Sequence, residues 1–237
     1  MSASLAWYNT VYMSEPWANR TVLRALALSS LSSILLFIVG GLIYHDTLLW
    51  FLSWNLGLAW LPLLFAWLLV RHLETGRWWS LRGVIFSLAW LVFLPNSFYL
   101  ASDFVHMRYA TSSTALFYAT LILSFTINGF TLGFISLYTV HKQLVKRLSN
   151  VTAHSLVGIV LMAASFAIYL GRYLRWNTWD VVINPVGLLF DISDRLIHPV
   201  ANAQTFRVTI LFFILLGSIY ATVWQLVGSA NTSRTNT

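Results

Sequence analysis

Apolar residues recur along this chain in six runs, at residues 25–44, 47–70, 83–100, 114–140, 151–171 and 206–228, with polar and charged residues gathered between them. A bilayer core about 30 Å thick needs about 20 apolar residues at helical rise, so each run predicts a transmembrane helix and the whole predicts an all-α, polytopic helix bundle. The third run is the shortest and carries Pro95. The fourth is long enough to tilt, and its Asn128, Gly129 and Gly133 allow a kink or close helix packing. The first begins too far from Met1, and ends in too few small residues, to read as a cleaved signal peptide, so it is expected to stay as a span. Residues 1–24 form an N-terminal segment whose Trp7, Tyr8, Tyr12 and Trp17 read as an aromatic interface anchor before Arg20. Residues 25–228 are expected to be one transmembrane domain and 229–237 a polar tail. No internal repeat is visible, so an inverted-repeat transporter has no support here.

Composition narrows the class. With 58% hydrophobic and 9% charged residues, the chain cannot be a water-soluble domain. The absence of cysteine excludes a disulfide scaffold, a thiol nucleophile and a thiolate metal site. Net charge is +7, but the 14 Lys and Arg residues lie in segments between apolar spans, which points to membrane lipids with anionic headgroups and not to nucleic acid.

The same charges orient the chain. Arg20, Arg24, Arg71, Arg77, Arg82, Lys142, Lys146, Arg147 and Arg234 fall on one side, while Arg108, Arg172, Arg175, Arg195 and Arg207 fall on the other. The positive-inside rule then places both termini in the cytoplasm of a multi-pass cell-membrane protein. The outer arginines are concentrated in the last connection, where Asp180, Asp191 and Asp194 accompany them. Arginines held outside against the rule are expected to have local work.

That connection, residues 172–205, does not read as disordered. Asn184 followed by Pro185 is an N-cap and first-turn pair, and Val186, Leu189, Phe190, Leu196 and Ile197 share one face of the helix it opens. Asp191, Asp194, Arg195 and His198 share the other, and Pro199 ends it. Such a helix lies flat in the outer interface or forms a lid over a cavity between spans.

Three polar stretches interrupt the apolar pattern on the outer side. LPNSFYLASDFVHM, residues 94–107, ends the third run; Pro95 removes one backbone hydrogen bond, leaving a carbonyl that Asn96 or a neighbouring helix can satisfy. If the helix resumes after Ser97, then Tyr99, Asp103 and His106 share a face, and the carboxylate can orient the imidazole. WNLGLAWLP, residues 54–62, puts the amide of Asn55 about 12 Å into the second span, where it needs a partner or a wet cavity. GRYLRWNTWD, residues 171–180, gathers Arg172, Arg175, Trp176, Asn177, Trp179 and Asp180. Taken singly these are interfacial water, headgroup and belt contacts. Taken together, three parts of the chain converge on one face of one membrane. Asp103 is expected within salt-bridge reach of Arg172 or Arg175, with His106 and Asn96 opening onto the same cavity.

FLSWNLGLAWLP, FLPNSFYLASDFVHM and GRYLRWNTWD, in that order and at these separations, resemble a bacterial membrane family, domain of unknown function 1361. The resemblance covers roughly residues 51–185. Met107 and Thr178 are mild departures, where Leu and Ser would be expected. The resemblance implies a multi-span membrane protein and brings no activity with it.

The residues themselves leave three functions open. In the first, a membrane enzyme acts at the outer leaflet on a lipid-linked or phosphorylated substrate: His106 is general base or acid, Asp103 orients it, Arg172 and Arg175 clamp an anionic headgroup, Asn96 and Asn177 hydrogen-bond the substrate, and Trp176 or Trp179 stacks on a sugar or covers the site. No nucleophile elbow, HExxH or paired-carboxylate protease motif accompanies them. In the second, the same residues line an outward-open pocket of a transporter or binding protein, a reading that Asn55 and Asn128 favour because permeation needs polar groups at depth. In the third, Asp103 and Asp180 pair with Arg172 and Arg175 and tie the outer loops together within a larger complex. A metal beside Asp103 and His106 would need a third ligand from His198, Asp191 or Asp194, and none is predicted. No cofactor motif is legible and no protein partner can be named. His45 and His72 read as loop residues, His141 as the start of a basic turn, and His154 as a packing group.

Overall fold

All six apolar runs form helices, and the computed structural model describes residues 20–235, with side chains as far as residue 227. In chain order these are α1 (Arg20–Tyr44), α2 (Phe51–Leu73), α3 (Leu81–Tyr99) continued by a 3₁₀ helix (Leu100–Tyr109), α4 (Ala115–Val145), α5 (Asn150–Tyr173), the single turn α6 (Asp180–Ile183), α7 (Pro185–Ile197) and α8 (Ala203–Thr235). Among the described residues there is no strand, and six helices are long and apolar enough to cross a membrane. The protein is an all-α polytopic bundle. Its outward faces are apolar, as Leu28, Leu35 and Leu42 on α1 illustrate, which is the surface that lipid contact requires.

Serine caps set two of the helix starts. Ser80 Oγ accepts from Gly83 N at 3.3 Å to open α3, and Ser149 Oγ accepts from Thr152 N at 3.2 Å to open α5. Three ends differ from the hydropathy pattern. The fourth helix continues to Val145, so His141 is a fully buried helical residue and does not begin a loop turn. His72 likewise belongs to the last turn of α2, where Nε2 lies 2.6 Å from Ser80 Oγ. The last helix runs on to Thr235 through the segment expected as a polar tail. The aromatic anchor expected before Arg20 lies outside the described residues.

The chain divides into two compact units between Gln143 and Leu144. In the first, α2 and α3 lie side by side; Phe65 and Phe93 stack at 5.6 Å, and Ser97 Oγ donates to Ala59 O at 3.1 Å. The α4 helix meets α3 through two glycines. A β-carbon on Gly129 would stand 2.4 Å from Ser97 O, and one on Gly133 would stand 2.7 Å from the Phe98 ring, so only glycine lets the helices approach this closely. Phe98 then packs on Phe130 at 5.8 Å and Phe134 at 5.0 Å.

Polar contacts bring α1 into the same unit. Asn128 Nδ2 donates to Ser33 Oγ at 2.9 Å and to Ser124 O at 3.0 Å, and the Ser33 and Ser124 hydroxyls are themselves bonded. Trp60 Nε1 donates to Ser30 Oγ at 3.3 Å. With no water in the hydrocarbon, these groups must satisfy one another, and doing so fixes the rotation of each helix. In the second unit α5 and α8 pack side by side, with the His154 ring set edge-on to Trp224 at 5.4 Å, the packing role expected of that histidine.

Candidate functional site

The third span does not break at its proline. The α-helix passes through Pro95 and Asn96 to Tyr99, and the change comes one residue later, where a 3₁₀ helix of 10 residues begins at Leu100. Runs longer than about four residues in this conformation are uncommon, and hydroxyls explain this one locally. Ser102 Oγ donates to Tyr99 O at 2.6 Å, and Thr126 Oγ1, reaching across from α4, donates to Leu100 O at 3.2 Å. Both carbonyls at the switch are thus satisfied without the amide partners that an α-helix would use. The carbonyl that Asn96 actually takes is that of Phe93, to which Nδ2 donates at 3.1 Å.

The tighter winding changes which residues align. Three residues per turn places Leu100, Asp103, His106 and Tyr109 along one ridge, replacing the expected line of Tyr99, Asp103 and His106. The ridge climbs from the interior to the surface: Leu100 and Asp103 are fully buried, and Tyr109 is exposed. His106 stands between. Its Nε2 lies 3.8 Å from Asp103 Oδ1, and its side chain is 19% exposed. Phe51, from the first turn of α2, lies 4.9 Å from the imidazole centroid on one side, and Tyr109 stacks at 5.9 Å on the other. Arg108 donates from Nη2 to Tyr109 Oη at 2.6 Å and caps that ring. A buried carboxylate thus stands within ion-pair distance of a partly exposed imidazole, and two rings confine the plane of the histidine.

Two residues that the sequence reading passed over form another polar contact in this unit. Tyr118 Oη donates to Asp46 Oδ2, and Leu48 N donates to Asp46 Oδ1 at 2.8 Å, so the carboxylate ties the α1–α2 connection to the first turns of α4. The one available signal was that Asp46 is the single carboxylate between the first two runs. Asn55 is half-buried in α2 and has no hydrogen-bond partner among the described residues. Tyr99 is half-buried at the end of α3. Asn128 is committed to Ser33 and Ser124, so it packs helices and does not line a polar path.

The remaining candidates belong to the second unit. Arg172 lies in the last turn of α5. Arg175 is exposed and adopts a left-handed backbone, φ 61°, where the chain turns away from the span. Trp176 Nε1 donates to Asp191 Oδ2 at 2.7 Å, and Trp179, at 44% exposure, precedes α6. Asn177 N donates to Asp180 Oδ2 at 2.6 Å, with its Nδ2 3.4 Å from the same oxygen. Asp180 is therefore engaged by Asn177 within the turn. Asn177 and Trp176 likewise direct their hydrogen bonds into their own loop.

The first unit thus brings Asp103 and His106 together, and the second gathers Arg175, Trp176, Asn177 and Asp180 into one turn. A family model described as a protein of unknown function, DUF1361, matches residues 54–219, which takes in every one of these positions. No curated protein and no solved structure matches the chain.

Proposed function

Because the chain belongs to the family of proteins of unknown function DUF1361, its chemistry has to be read from its own residues, and we propose a membrane enzyme acting on a lipid-linked or phosphorylated substrate at the outer leaflet. The observation that carries this reading is the buried Asp103 carboxylate 3.8 Å behind the partly exposed His106. In it His106 serves as general base or acid, and Asp103 orients it. Arg172 and Arg175 take the anionic group; Arg175 is exposed and makes no ion pair among the described residues of its own unit. Trp179 covers the substrate or stacks on a sugar. Asn96, Asn177 and Trp176 hold the chain around the site through the hydrogen bonds they make to Phe93, Asp180 and Asp191. The orientation follows the excess of Lys and Arg on one side, with both termini in the cytoplasm of a bacterial cell membrane and the site outside.

One observation favours transport or binding in an outward-open pocket instead: the half-buried amide of Asn55, inside α2, has no hydrogen-bond partner among the described residues. Mass spectrometry of what co-purifies with detergent-solubilised protein separates the two. The enzyme reading expects a phosphorylated lipid species on the wild type, more of it on His106→Gln because turnover is blocked, and little on Arg175→Ala. A small polar solute in its place establishes the transport reading. The same co-purifying species at equal amounts on all three proteins sinks the assigned site.

A further inference from the structure

The α7 helix is amphipathic in the sense opposite to that of a soluble surface helix. Its charged side faces the protein. Arg195 Nη1 contacts Asp191 Oδ1 at 3.0 Å and Asp194 Oδ2 at 3.3 Å, and His198 Nδ1 lies 3.0 Å from Asp194 Oδ1. Its apolar side faces out, with Val186, Leu189, Phe190, Leu196 and Ile197 exposed by 60% to 77%. Val182, Ile183 and Val200 extend the stripe beyond both ends.

Two hydrogen bonds set the depth of this helix. Trp176, just past the end of α5, donates to Asp191 at 2.7 Å, and Asn202, just before α8, donates from Nδ2 to Asp194 Oδ2 at 3.3 Å. Both α5 and α8 are membrane spans, and a chain that leaves by one and returns by the next stays on one side of the bilayer. The charged face is therefore tied to the two points where spans meet the membrane surface. An apolar stripe held at that level lies among headgroups and acyl chains.

We infer that α7 is an in-plane membrane element whose apolar stripe is covered by the acyl chains of one leaflet. A lid closing over a polar cavity would bury this stripe against protein, and it is exposed. The polar face carries Asp191 and Asp194 against Arg195, with no cationic excess, so its insertion rests on apolar burial and does not need anionic lipid. The inference is independent of the enzymatic reading, because it uses neither His106 nor Arg175.

The chain has no cysteine, which makes single-site labelling direct. Ser193 falls within the exposed stripe, between Phe190 and Ile197 at helical spacing, and Leu189 provides a second position. Full-length Ser193→Cys and Leu189→Cys proteins, spin-labelled and reconstituted in phosphatidylcholine vesicles, are compared with Ser113→Cys in the exposed connection before α4. The expected result is collision with oxygen exceeding collision with a water-soluble nickel chelate at both stripe positions, and the reverse at Ser113. Nickel accessibility at the stripe equal to that at Ser113 overturns the inference, because the stripe is then in water. Exclusion of both reagents overturns it too, because another protein surface then covers the helix.

Discussion

Gly129 of α4 sits against the last α-helical turn of α3, with space for a β-carbon only 2.4 Å from the Ser97 carbonyl oxygen. This approach lies beside the switch at Leu100, whose carbonyl accepts from Thr126, one turn earlier on α4. Gly129→Ala forces the two helices apart where the ridge bearing Asp103 and His106 begins. The expected loss is roughly 1–3 kcal/mol, the usual range for overfilling a packed site. Thermal unfolding in detergent reads it, with Gly57→Ala as the internal comparison. Gly57 has nothing within 4 Å of its β-carbon position, so alanine there is expected to be neutral or to stabilise by up to about 1 kcal/mol. Equal melting temperatures for the two variants would remove the close contact as the cause.

Asn128 joins α1 and α4 through Ser33 and Ser124. Interhelical hydrogen bonds of this kind contribute about 0.6 to 2 kcal/mol each in a membrane, so Asn128→Ala should destabilise by about that amount. Ser33→Ala should weaken the same contact, and the double variant should cost less than the two singles added together. Additive losses would mean that the two side chains act separately, returning Asn128 to the polar-path reading.

Span number, the asparagine cap and the two faces of α7 were legible in the sequence because each depends on neighbours within a turn or two. Asn184 caps α7 through Gly187 N at 3.1 Å, as the Asn-Pro pair predicts. The 3₁₀ ridge was not legible. Pro95 advertises a break that the surrounding helix absorbs, while the groups that impose the switch are Ser102 and Thr126, the second supplied by another span. The contact of Asp46 with Tyr118 spans α2 and α3 in the chain, so no local pattern announces it. Arg175 was singled out for its charge, while its left-handed backbone, φ 61°, has no signal in the residue types around it.

The topology prediction rests on where Lys and Arg fall. A reporter fused after Thr237 and one inserted between Lys146 and Ser149 should be cytoplasmic, and one near Ser112 should be outside. The arginine-rich connection between α5 and α8 is the place where the rule is weakest. Finding residues 172–205 in the cytoplasm would put Arg172 and Arg175 on the inner leaflet and end the outer-leaflet enzyme, while leaving the lipid contact of α7 untouched.

Asp103 and Arg175 belong to different units of the chain, and the one-site proposal requires them to act together. Asp103 is fully buried, and a carboxylate in a low-dielectric surrounding is stabilised by a cation within a few ångströms. Arg175 makes no ion pair among the described residues of its own unit. A double-mutant cycle decides the matter. Asp103→Asn and Arg175→Gln, alone and together, should show a coupling of roughly 0.5 to 3 kcal/mol in unfolding free energy if the residues form a pair. Independent residues should add to within about 0.5 kcal/mol. Arg172→Gln run in the same cycle assigns the partner, because a true pair shows coupling with one arginine and additivity with the other. Additivity with both would leave His106 and Asp103 as a local pair and separate the anion clamp from the acid–base group.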